Sequence, residues 1–213
     1  MAAIHANGAE YVHYMDVRMW GTAGKWDTNF SELYMSTDNG RNWQRRREVV
    51  FSAKSNFALA AYAKKDGYIY MMGTPSGRFG SAHLGRFLEK DILSPSNYEY
   101  LVDGVHWVKG VERNATPVFE GPVGELSLAY NSHFKKWIVT YLNEDRAAIV
   151  MCYANDASGP WSSEYTLVQG WDYPALYNAY IHPLSNSTDE LYFLMSLWHP
   201  YNVFLMRADL RLE

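Results

Sequence analysis

One recurring pattern constrains this chain more than any other: a turn residue followed by a short aromatic or apolar run that reads as a strand. Four segments carry it, Gly8-Ala-Glu-Tyr11-Val-His-Tyr-Met15, Asp66-Gly-Tyr68-Ile-Tyr-Met-Met72, Lys135-Lys-Trp137-Ile-Val-Thr-Tyr141 and Asp189-Glu-Leu191-Tyr-Phe-Leu-Met195. Their anchors recur roughly every 54–69 residues, a spacing that suits propeller blades of about four strands each. Hardly any stretch sustains an apolar period of 3.6, so helices have little place here. A β-sandwich also sets strands at short intervals, and spacing alone leaves that alternative open.

A second element fixes the strand order. Ser36-Thr-Asp38-Asn-Gly40-Arg-Asn-Trp43 has the form S-x-D-x-G-x-x-W, and Asn155-Asp156-Ala-Ser-Gly159-Pro-Trp161 keeps the same interval from Asp to Trp. The aspartate can accept backbone N–H bonds, the glycine supplies a positive φ, and the tryptophan packs back on the blade. The first segment resembles the Asp-box of sialidase-type propellers, which joins the third and fourth strands of a blade away from the substrate. With that anchor the expected strands are 2–5, 11–20, 32–36 and 48–52; 57–63, 68–73, 83–88 and 98–102; 125–131, 137–142, 148–154 and 164–168; and 177–183, 191–197 and 203–209. The expected fold is therefore all-β, a propeller in one domain with blades at 1–53, 54–103, 115–168 and 174–213. The fourth blade lacks an outermost strand. Stretches 103–122 and 169–175 read as connections between blades.

Composition removes several function classes. With 19 Lys plus Arg against 23 Asp plus Glu, the net charge of −4 offers no basic surface for nucleic acid. The longest apolar runs fall far short of the ~20 residues a membrane helix needs. The lone Cys152 excludes an internal disulfide or a cysteine-based zinc site. The seven histidines show no metal-ligand spacing, and no nucleotide or dinucleotide fingerprint is present, so neither metal nor cofactor is expected. No signal segment opens the chain. By contrast, 17 Tyr, 9 Phe and 8 Trp provide flat surfaces on which sugars stack.

In a propeller, the starts of the inner strands and the loops between second and third strands meet at the mouth of the channel, where polar groups converge. Here they supply Asn56 and the loops 20–29, 74–83, Asn143-Glu144-Asp145-Arg146 and Trp198-His199-Pro-Tyr201-Asn202. Within this set Trp20, Trp26, Asp27 and Asn29; Arg78 and His83; Glu125; Tyr177 and Asn178; and Trp198 stand out. Glu125 opens an otherwise apolar inner strand, and a carboxyl desolvated among aromatics would have the raised pKa of a general acid. Asp27 is the second candidate carboxylate. The remaining residues of the set are candidates for binding substrate, the tryptophans by stacking and Arg78 by pairing with a carboxylate or sugar hydroxyls.

Together, Tyr11-Val-His-Tyr-Met, Trp20-Gly, Trp26-Asp-Thr-Asn-Phe-Ser31, Gly73-Thr-Pro-Ser-Gly-Arg78, Gly121-Pro-Val-Gly-Glu-Leu-Ser127, Gly159-Pro-Trp161 and Tyr177-Asn-Ala-Tyr-Ile-His-Pro183 resemble the propeller family catalogued as domain of unknown function 4185. Part of that family is grouped as glycoside hydrolase family 183, endo-D-arabinanases acting on mycobacterial-type arabinan. The resemblance implies a five-bladed propeller in bacterial or phage proteins, extracellular or particle-associated, that engages furanose polysaccharides. It also implies that this chain corresponds to the C-terminal four-fifths of such a domain, with the N-terminal blade absent.

Three readings follow: a glycoside hydrolase using Glu125 and Asp27, a carbohydrate-binding propeller without turnover, and a protein-interaction propeller. The arithmetic of the ends adds an expectation about partners. Another chain or segment would complete the ring.

Overall fold

The computed structural model describes residues 2–211, which form four antiparallel sheets in chain order, arranged as the blades of a β-propeller. The first holds β1 (Ala2–Ala6), β2 (Ala9–Trp20), β3 (Trp26–Ser36) and β4 (Gln44–Ser52), each paired with the next. The second holds β5 (Leu59–Lys65), β6 (Tyr68–Thr74), β7 (Ala82–Leu88), β8 (Glu99–Val102), β9 (His106–Lys109) and β10 (Pro117–Phe119). The third holds β11 (Leu126–Asn131), β12 (Lys136–Asn143), β13 (Ala148–Ala154) and β14 (Tyr165–Gln169), and the fourth β15 (Leu176–Ile181), β16 (Glu190–Leu197) and β17 (Asn202–Asp209). All fifteen expected strands are present, with ends shifted by a few residues.

Two differences concern the site. Residues 103–122 are not a plain connection. β9 extends the second sheet beyond β8, and β10 lies along β7, with Pro117 opposite His83 and Phe119 opposite Ala82. The β2–β3 hairpin is also longer than expected. Trp20 pairs with Trp26 and Met19 with Asp27, so Trp26, Asp27 and Asn29 belong to a strand and only 21–25 remain as turn.

Burial patterns show which blades are enclosed. The third blade lies between two others, and its β12 and β13 are buried on both faces, as their continuous apolar sequences require. In β17 half-buried Phe204, Met206 and Ala208 alternate with exposed Val203, Leu205, Arg207 and Asp209, so only one face is covered. Three apolar layers fill the interblade spaces. Tyr11, Leu33, Phe51, Phe57 and Phe87 lie in the first, Met72, Leu84, Leu128, Trp137 and Val139 in the second, and Ile138, Ile149, Leu191, Phe193 and Met195 in the third.

The inner strands β1, β5, β11 and β15 adjoin in that order around a channel. Its cavity of about 610 Å³ is also lined by Leu194, Ser196 and Val203, so it opens sideways along the outer face of the fourth blade.

Trp43 and Trp161 each follow the turn between third and fourth strands of their blades, but they pack differently. Trp43 folds over its own turn, Nε1 donating to the Gly40 carbonyl at 3.0 Å. Trp161 instead meets Phe119 edge-on at 5.8 Å, inside the second apolar layer.

Candidate functional site at the channel mouth

The mouth is assembled by backbone contacts between loops of neighbouring blades. In the first blade the 21–25 turn closes with Gly21 N–H donating to the Lys25 carbonyl at 2.9 Å. Its Gly24 carbonyl then accepts from Arg78 N–H at 2.9 Å. Gly24 has φ +74, and a Cβ there would lie 3.1 Å from both Glu144 Oε1 and the Phe79 ring. Glycine therefore meets a left-handed backbone and a close approach at one position. The Gly121–Glu125 segment packs on the same loop: Val123 N–H donates to the Gly80 carbonyl at 3.1 Å, and Gly124 N–H to the Leu142 carbonyl at 2.8 Å.

This framework brings three charged side chains together. Arg78 reaches Glu125 Oε1 through Nε at 2.9 Å and Nη2 at 2.8 Å, and Glu144 Oε1 through Nη1 at 2.9 Å. Their side chains are 17%, 23% and 26% exposed for Arg78, Glu125 and Glu144, so the cluster is half sunk into the mouth. Burial of the guanidinium works against its charge, but the two carboxylates more than offset that and hold Arg78 above the ordinary arginine value. The second oxygen of Glu125 is sealed from solvent and has no hydrogen-bond partner.

Glu144 owes its direction to its neighbours. Asn143 and Arg146 both turn to Glu164, at 2.8 and 2.9 Å, and the Tyr141 hydroxyl donates to the same carboxylate at 2.6 Å. Burial opposes the charge of Glu164, yet Tyr141, Arg146 and Asn143 keep its pKa below the ordinary glutamate value. With both flanking polar residues held there, the 143–147 loop is fixed and Glu144 meets Arg78.

Aromatic side chains border the cluster. The Arg78 guanidinium lies 5.9 Å from the centre of the Tyr177 ring, Tyr177 meets Trp198 at 6.1 Å, and Trp198 meets Tyr201 at 5.3 Å. Trp198 and Tyr201 are 55% and 68% exposed. On the first blade, Trp20 and Trp26 lie 5.8 Å apart and Lys25 Nζ sits 5.6 Å from the Phe79 ring centre.

Of the residues singled out from the sequence, Arg78, Glu125, Tyr177 and Trp198 form one contiguous group. Asn178, at φ +63, lines the channel cavity below it. The others lie apart. Thr28 bonds Ser76 of the second blade at 2.6 Å, so by strand alternation Asp27 and Asn29 point from the opposite face of β3. There Asp27 pairs with Arg18 at 3.3 Å and Asn29 donates to Asp16 at 2.6 Å. Asp27 therefore does not join the carboxylates around Arg78. Nor does His83 project from a mouth loop: it stands on β7, 6% exposed, with its ring 6.4 Å from Phe57, and burial lowers its pKa. Glu125 lies against a guanidinium rather than among aromatics alone. Glu144, Phe79 and Tyr201 lie in loops that the sequence places at the mouth, but the polar run Asn143-Glu144-Asp145-Arg146 does not show which acid turns inward, and none of the three stands out as a site residue.

Comparison with known proteins places this geometry among propellers. The fold is similar to that of a protein from Bacteroides ovatus (TM-score 0.61, 16% identity, covering 94% of this chain and 55% of that one). It is equally similar to a family 117 glycoside hydrolase from Zobellia galactanivorans (TM-score 0.61, 16% identity, 97% and 64% covered). It is also similar to the native arabinanase of Bacillus subtilis (TM-score 0.54, 12% identity, 97% and 71% covered). At such identities the likeness is one of fold, and the chain spans 55% and 64% of the length of the first two proteins. No curated protein sequence matches. The sequence model of one family matches residues 1–207, nearly the whole chain, and on that ground the chain belongs to the family described as Domain of unknown function (DUF4185).

Proposed function

We propose that this propeller is glycoside hydrolase-like and acts on a furanose polysaccharide of the arabinan type through carboxylate chemistry at the channel mouth. One observation carries the reading: Arg78 gathers carboxylates from two elements, the start of β11 and the 143–147 loop, beside exposed aromatic rings. Most glycoside hydrolases place carboxyl groups beside the scissile bond, and the mouth supplies them. Trp198 and Tyr201, with Trp20 and Trp26 on the first blade, offer faces for sugar rings. A polymer substrate suits an extracellular or particle-associated protein. The exposed face of β17 in the fourth blade suits a further segment or chain packed against it.

The second reading, a carbohydrate-binding propeller without turnover, is favoured by the state of Glu125. One of its oxygens is tied to Arg78 and the other is sealed. Release of reducing ends from arabinan by the wild-type protein and by Glu125→Gln separates the two. Release that falls sharply in the variant supports the hydrolase. Binding without release supports the second reading, and absence of binding to any glycan overturns both.

A further inference from the structure

We infer that Glu144, rather than Glu125, is the carboxylate that meets the substrate, and that Glu125 is a positioning residue that fixes Arg78. The inference rests on the hydrolase reading and assigns the roles within it. Both glutamates offer Oε1 to Arg78, so their remaining oxygens decide what each can do. Glu125 Oε2 is shut away from solvent without a partner, so a sugar or water does not meet it in this structure. The Glu144 side chain is 26% exposed on a loop at the mouth, and its Oε2 is not among the buried, unpartnered atoms. Arg78 reaches Glu125 Oε1 through two nitrogens and Glu144 Oε1 through one, so Glu125 holds the guanidinium at two points and Glu144 at one.

The arrangement suits a base. A carboxylate that already holds a guanidinium on one oxygen accepts on the other. Glu144 Oε2 takes a proton from a water molecule whose oxygen bonds the anomeric carbon as the glycosidic C–O bond breaks. The departing sugar oxygen takes a proton from solvent, and Glu144 then returns its own. One water is consumed and one reducing end is formed.

The test uses the full-length protein with arabinan, following kcat, KM and rescue by azide, a small nucleophile that replaces a deleted carboxylate. Glu144→Ala is expected to lower kcat about 100-fold or more, with little change in KM, and azide is expected to restore at least part of the rate. Glu125→Ala is expected to lose activity together with thermal stability, without rescue. If Glu144→Ala does not fold, Glu144→Gln keeps the shape and carries the kcat reading. Undiminished kcat in either Glu144 variant, or azide rescue of Glu125→Ala instead, overturns the assignment. A folded wild-type protein that releases nothing from arabinan overturns the hydrolase reading and the assignment with it.

Discussion

Acid should destabilise this protein through its buried histidines, His13 above all. The ring is 1% exposed in the layer between the first two blades, stacked 5.3 Å from Phe51, with Nδ1 2.9 Å from the Tyr62 hydroxyl and Nε2 unpartnered. Burial pushes its pKa from the ordinary 6.5 to about 4. In the unfolded chain the imidazole takes up a proton as pH falls through about 6.5, whereas in the folded protein it stays neutral until about 4. Stability is therefore unaffected by this group above pH 7 and falls progressively between about 6.5 and 4. At about 1.4 kcal/mol per pH unit the loss comes to about 3 kcal/mol, a large part of a typical domain's margin. Urea unfolding followed by tryptophan fluorescence at pH 7.5, 6.5, 5.5 and 4.5, on wild type and His13→Gln, isolates the effect, because other titrating groups cancel in the difference. The wild-type advantage should shrink by about 3 kcal/mol on going from pH 7.5 to 4.5. A difference that stays constant with pH would falsify the argument.

Gly73→Ala should cost about 3 kcal/mol or more by thermal melting, because a Cβ there would lie 2.3 Å from Phe57 Cδ1 and 2.9 Å from its Cα, and Phe51 and Tyr100 wall that ring in. An unchanged melting temperature would mean the Phe57 segment yields easily. Tyr141→Phe removes a donor to Glu164 and should cost about 1–2 kcal/mol at neutral pH. Because the folded pKa of Glu164 lies below its ordinary value of 4.5, the interaction is fully present above that pH and lost as pH falls through the folded value, so the cost should vanish in acid. Trp198→Ala should weaken binding of an arabinan oligosaccharide by about 0.5–1.5 kcal/mol in calorimetry without lowering the melting temperature. Equal affinity would remove Trp198 from the sugar-binding surface.

The blades were legible in the sequence because their signal is local. Tyr68–Thr74 and Lys136–Asn143 announce themselves by strand-forming residues bounded by Asp66-Gly67 and Lys135. β9 and β10 were not, because four- and three-residue strands hold too few residues to set a period. The site was half legible. Arg78 and Glu125 stand at loop and strand positions that the blade frame places at the mouth. Asp27 was misplaced because hairpin register, which the sequence leaves open, decides the face from which it projects. Within the 143–146 loop the sequence does not single out Glu144, because its direction depends on Glu164, a residue on the far side of β13 in the chain.

The local pairing of strands bears on how the chain gets made. Each sheet is built from one continuous stretch of chain, from Ala2 to Ser52 in the first blade and from Leu59 to Phe119 in the second, where β10 returns to pair with β7. For an all-β protein this keeps loop closure short and contact order low. Each blade can pair its strands as it leaves the ribosome, before the next has been synthesised. The Arg78 cluster is different, since it draws on the second and third blades and on Gly24 of the first. Its charges come together only when three blades have docked, so the mouth is among the last parts of the molecule to take shape.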